Sequence, residues 1–99
     1  MVKDFWNKRY SKNEYVYGEQ PNLFFKEIID TLPIGRILLP ADGEGRNGVY
    51  AASKGWNVDS FDISHEAKMK ALNLSKSKGV DLSYKVMGMD EVKDCMSSN

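Results

Sequence analysis

Cysteine and histidine are almost missing from this chain of 99 residues, which has one of each, Cys95 and His65. A single cysteine excludes an internal disulfide and leaves a cysteine-based metal site without ligands. Long apolar runs are missing too. The start, Met1-Val2-Lys3-Asp4-Phe5-Trp6, lacks the apolar stretch of a secretion signal, and no later run is long enough to span a bilayer. The expectation is a cytoplasmic protein with no membrane partner. Charge of one sign is not in excess, since 14 Lys+Arg stand against 14 Asp+Glu. That balance gives no field to draw the chain toward nucleic acid or acidic lipid. Proline is scarce, while 41% of residues are apolar and 28% charged, a composition that belongs to a folded chain rather than a disordered one.

What is present falls into one alternating order. Val2 to Tyr10 reads as a short helix, followed by an irregular stretch from Ser11 to Gln20. Asn22 is placed to cap a second helix, in which Phe24, Phe25, Ile28, Ile29 and Leu32 make one apolar stripe, and Pro33 and Gly35 stop it. Arg36-Ile37-Leu38-Leu39-Pro40 is a short apolar run between turn signals and reads as a buried strand. A helix from Asn47 to Lys54 ends at Gly55, and Trp56 to Phe61 is a second strand. Ser64 caps a further helix that runs to about Lys78. Its inner face is Ala67, Ala71 and Leu74, and Lys68, Lys70, Lys76 and Lys78 are expected to form its solvated outer face. Leu82 to Met87 is a third strand. Strands alternating with helices predict an α/β fold: a Rossmann-like parallel sheet with flanking helices, ending after about three strands in a single domain.

Between the first strand and its helix lies Asp42-Gly43-Glu44-Gly45-Arg46-Asn47-Gly48, a literal G-x-G-x-x-G. A chain leaving a strand sharply, with a ligand close to its backbone, has no room for a Cβ there. Asp62 follows Gly43 by 19 residues at the end of the second strand. A carboxylate in that position can accept from both hydroxyls of an adenosine ribose, or act as a helix-start acid. The loop's own charge bears on the ligand. A pyrophosphate would meet Asp42 and Glu44, and two unit charges ~5 Å apart at an effective dielectric of ~20 interact by about 3 kcal/mol. A cationic ligand is favoured by the same charges. A nicotinamide dinucleotide remains the alternative that the glycine pattern itself supports.

The run from Ile37 to Asn47, with Gly55-Trp56-Asn57-Val58 and Phe61-Asp62-Ile63-Ser64, resembles the first two motifs of class I S-adenosylmethionine (SAM) dependent methyltransferases. The leader Trp6-Asn7-Lys8-Arg9-Tyr10, with Tyr15-Val16-Tyr17-Gly18 and Pro21-Asn22, is similar to the branch containing the tellurite-resistance and thiopurine methyltransferases. The resemblance covers residues 5 to 92. It implies that Ala41, Asp42, Gly43 and Gly45 surround the methionine part of SAM, with Glu44 in the same loop counted at the cofactor for its charge. Asp62 would hold the ribose, Ile63 would pack on the adenine, and Met89 would meet the adenine edge. Residues 1–21 would form an aromatic lid, with Trp6, Tyr10 and Tyr17 over the cofactor. The acceptor implied is a small molecule.

The chain departs from the pattern at Leu39, where the family commonly has an acid, at Ala41, where it has a glycine, and at Gly88, where it often has an aspartate. It is also short: members of the class continue through further strands. A three-stranded sheet exposes an edge able to self-associate or to receive a partner chain, so a non-catalytic assembly module is a third reading. No residue here is a persuasive general base, and no catalytic residue or metal ligand is expected.

Overall fold

The computed structural model describes residues 2–10, 15 and 18–88. Tyr17 and Met89, both expected at the cofactor, lie outside the described residues. The elements run α1 (Val2–Tyr10), α2 (Leu23–Thr31), β1 (Arg36–Pro40), α3 (Arg46–Ser53), β2 (Asn57–Asp62), α4 (His65–Ser77) and β3 (Ser83–Val86). The three strands form one parallel sheet in the order β1-β2-β3, as the alternating sequence predicts. Among the described residues no helix is long and apolar enough to cross a membrane.

The expected caps form. Asn22 Oδ1 accepts from the N–H of Phe25 at 3.1 Å, and Ser64 Oγ accepts from the N–H of Ala67 at the same distance. Each satisfies a donor that the first helical turn leaves without an intrahelical partner. Both crossover helices end where the sequence places a glycine, and Gly55 and Gly79 take the left-handed backbone of that position.

Helices α3 and α4 pack on each other and on β2, and α2 packs on α3, so the three share one face of the sheet. Ile29, Ala51 and Val58 form the centre of the core there, with Phe25, Ile37, Leu39 and Trp56 against them. Ile37 and Leu39 alternate with Leu38, which faces the other side and is 44% exposed. Parallel sheets are usually covered on both faces. Here Leu38 is exposed on the second face, while Phe61, which shares that face, is buried.

The α2 stripe is a correction to the sequence reading. Ile29 is buried and Phe25 half-buried, whereas Phe24, Ile28 and Leu32 are exposed, together with Leu23 and Ile34. The helical spacing is right, but α2 packs on α3 at the margin of the core, and among the described residues β1 has no neighbouring strand on its open side. Asn57 donates its N–H to the Gly35 carbonyl at 2.9 Å. Alternation then turns the backbone groups of Arg36, Leu38 and Pro40 toward the open edge. Pro40 has no N–H to offer there.

Candidate functional site

The chain leaves β1 through Ala41, which has a φ of 53°. An L-residue pays for this left-handed backbone, and it is the position where the resemblance calls for glycine. The glycine loop then folds back over the C-terminal ends of the strands.

The three glycines answer to different neighbours. A Cβ on Gly45 would stand 2.6 Å from the Cβ of Ala71, so the loop lies directly on α4. A Cβ on Gly48 would come within 2.4 Å of Asp42 Oδ2 and 2.8 Å of Ser60 Oγ. One on Gly43 would meet the Tyr10 hydroxyl at 3.0 Å, on the side where α1 crosses the loop. Close packing explains Gly45 and Gly48, and Gly43 combines a φ of 58° with the nearness of Tyr10.

Asp62 ends β2 with both carboxylate oxygens engaged. Oδ2 accepts from the N–H of Gly43 at 3.0 Å, and Oδ1 accepts from the N–H of Ser64 at 3.1 Å. Each oxygen keeps a second acceptor site. The group is thereby fixed in orientation at the wall of a cavity of about 270 Å³, lined also by Phe61, Ile63 and Met87. Its apolar lining suits a flat ring system beside a polar group. Tyr84 fixes the loop from beneath by donating its hydroxyl to the Gly43 carbonyl. Burial pushes that hydroxyl well above the usual range, so it remains a donor.

A second cavity of similar size lies on the other side of the loop, lined by Asp42, Gly43, Glu44, Arg46 and Asn47. Trp6, Tyr10 and Ala41 line both. The first of these stacks on the second, with ring centroids 5.5 Å apart. Helix α1 is held in place on α4, where Asn7 Oδ1 accepts from Ser64 Oγ at 2.7 Å. The structure therefore brings Trp6, Tyr10, Ala41, Asp42, Gly43, Glu44, Asp62 and Ile63 around one pair of cavities. Gly45 is the exception among the described residues, because it is spent on packing against Ala71.

The two loop acids are not presented as the sequence suggests. Glu44 is buried, and its Oε2 pairs with Lys70 Nζ at 2.7 Å. Lys70 therefore leaves the solvated face expected of it. It lies three residues after Ala67 and four before Leu74, within the stripe that packs inward, and that spacing was the available signal. Asp42 Oδ2 accepts from Ser60 Oγ at 2.8 Å. Burial pushes its carboxyl up to about 7, against the downward pull of Ser60 and of the Gly48 N–H. The helix start at α3, whose N-cap Gly45 has no side chain, is thus served by Asp42 from outside. Tyr15 adds a further tie by donating its hydroxyl to the Lys70 carbonyl at 2.7 Å, with Lys70 Nζ 5.2 Å from its ring centroid. His65, the first residue of α4, is exposed as expected. Among the described residues no cluster of metal-ligating side chains occurs.

No protein-family model matches the chain, and no curated protein sequence matches it. Solved structures do. One, from work on the conversion of a disulfide bond into a thioacetal group during echinomycin biosynthesis, superposes with a TM-score of 0.69 at 18% identity. It takes in 89% of this chain and 40% of the other. Another is a tRNA (uracil-54, C5)-methyltransferase of Pyrococcus abyssi in complex with S-adenosyl-L-homocysteine, with a TM-score of 0.63 at 25% identity. That likeness takes in 77% of this chain and 20% of the other. The chain thus spans less than half the length of either. Both likenesses support the truncated Rossmann-like α/β fold described above.

Proposed function

We infer that the chain binds S-adenosylmethionine and forms the cofactor-holding part of a methyltransferase. The observation that carries this reading is Asp62, oriented by the N–H groups of Gly43 and Ser64 at the wall of an apolar cavity. The carboxylate's remaining acceptor sites suit two vicinal hydroxyls, and Ile63, Phe61 and Met87 suit an adenine. The ligand held by the Pyrococcus abyssi relative supports the same cofactor class. When bound, SAM supplies an electrophilic methyl group. The chain's residues align it and keep water from it, with Trp6 and Tyr10 as the roof.

Within that class, the aromatic leader supports the tellurite-resistance and thiopurine branch. A small-molecule acceptor is the reading consistent with zero net charge.

Isothermal titration with SAM, S-adenosylhomocysteine and NADH tests the proposal. SAM and S-adenosylhomocysteine should bind, and Asp62→Ala should weaken both by more than about tenfold through loss of the charge-assisted ribose contacts. Binding of NADH alone would move the site to the oxidoreductase reading, which the G-x-G-x-x-G pattern favours.

A further inference from the structure

Tyr84 lines neither cavity, yet its hydroxyl reaches the glycine loop. It is 5% exposed on β3 and pairs in register with Ser60 of β2, so the two side chains stand on the same face of the sheet. Ser60 Oγ donates to Asp42 Oδ2 at 2.8 Å, and the Tyr84 hydroxyl donates to the carbonyl of the next residue, Gly43. Burial, and then the neighbouring acids Asp62 and Asp42, hold the proton on that hydroxyl. Gly43 is therefore tied on both sides. Its N–H, on the peptide from Asp42, donates to Asp62 Oδ2 at 3.0 Å, while its carbonyl, on the peptide to Glu44, accepts from Tyr84. A glycine at a φ of 58° has no Cβ to limit it, and these two bonds restrain the rotations on either side of its Cα.

We propose that Tyr84 is a positioning residue for the nucleoside: by holding the Gly43 carbonyl it keeps the N–H of the same residue on Asp62, and so sets the aim of that carboxylate at the ribose hydroxyls. The assignment rests on the SAM reading, and it adds a residue of the third strand that the glycine loop and the acid after β2 do not contain. Without the phenol the peptide from Gly43 to Glu44 can turn, and the Gly43 N–H loses its direction toward Asp62. The carboxylate then keeps the Ser64 N–H at 3.1 Å as its remaining tie, on its other oxygen. Two hydroxyls on adjacent carbons need both oxygens in place, so the loss falls on the ribose rather than on the adenine.

Isothermal titration with adenosine and with 2′,3′-dideoxyadenosine, which lacks both ribose hydroxyls, reads the Asp62 contact as a ratio of affinities. The unaltered chain should favour adenosine by more than about tenfold. Tyr84→Phe keeps the ring and removes the donor. It should weaken adenosine about fivefold and leave 2′,3′-dideoxyadenosine within about twofold, which narrows the ratio. A packing role alone would weaken both nucleosides alike, and equal weakening of both, or of neither, overturns the assignment. Should Tyr84→Phe not fold, the unaltered chain carries the test. Its Tyr84 hydroxyl proton, followed by NMR, should shift with adenosine and stay in place with 2′,3′-dideoxyadenosine; the same response to both overturns the assignment. If the unaltered chain shows no preference for adenosine, Asp62 does not hold the ribose, and the SAM reading fails and takes the assignment with it.

Discussion

Lys70 Nζ stands 2.7 Å from Glu44 Oε2, joining the middle of α4 to the glycine loop, with side-chain exposures of 11% and 3%. Removing one partner of a buried pair strands the other's charge, typically at a cost of about 3–5 kcal/mol. Lys70→Met keeps the aliphatic packing while removing the cation. It should lower the stability measured by urea unfolding by about 3 kcal/mol, and the double variant with Glu44→Gln should recover most of the loss. If the single variant costs under about 0.5 kcal/mol, the range of an exposed pair, the contact does not pin the loop.

Ala41 sets up the opposite expectation. Its φ of 53° costs an L-residue about 1–2 kcal/mol, against about 0.5–1 kcal/mol for the added freedom of glycine in the unfolded chain. Ala41→Gly should therefore raise stability by about 0.5–1 kcal/mol in a thermal melt. The same change enlarges both cavities, because the Ala41 side lines each of them. A lower melting temperature would mean that the methyl group packs usefully.

Asp42 makes stability depend on pH in a stated direction. Its carboxyl rises from 3.8 to about 7 on folding. Between those values the folded chain keeps a proton that the unfolded chain has released. Stability from this group is thus highest below pH 3.8, falls as pH rises toward 7, and is level beyond. The span of about three pKa units corresponds to about 4 kcal/mol at most. Asp42→Asn keeps an acceptor for the Gly48 N–H and removes the titration. Relative to the unaltered chain, the variant should gain stability progressively from pH 4 to pH 7, followed by chemical denaturation at each pH. A constant difference across that range would remove Asp42 from the account.

The open edge of β1 bears on association. Leu38 is exposed and its backbone groups face away from β2, while Phe24 and Ile28 stand uncovered on α2 and Leu32 just past its end. A strand edge of this kind pairs readily with another chain, and a lysine on it is an effective block. Sedimentation velocity should show association rising with concentration, and Leu38→Lys should reduce it. The same charge placed at Met69, exposed on α4, should leave association unchanged. Equal effects of the two substitutions would mean that net charge, not the β1 edge, controls it.

Element order and strand direction were legible because apolar spacing, caps and glycines are local signals. Ser64, Asn22, Gly55 and Gly79 stop or start helices within one turn of themselves. The reasons behind the loop were not local. Gly45 answers to Ala71, and Gly48 to Asp42 and Ser60, contacts that only the folded chain creates. The loop acids were read as charges facing a ligand, whereas burial and Lys70 decide their state. The apolar spacing of α2 marks one core stripe, but a helix packed on α3 at the margin of the core has partners on only part of its circumference. The cavity beside Arg46 is walled by Trp6 and Tyr10 of α1, a contact between distant parts of the chain that no local spacing carries.

The bond between Asn7 and Ser64 joins residues 57 positions apart, and that between Tyr15 and Lys70 spans 55. Both reach α4 across the whole of β1, α3 and β2. Closing so long a loop costs chain entropy that local contacts do not repay. Long-range ties of this kind predict that α1 opens at lower cost than the sheet beneath it. Amide exchange in α1 should accordingly run ahead of that in β2, so that the cavities open to solvent without unfolding of the core.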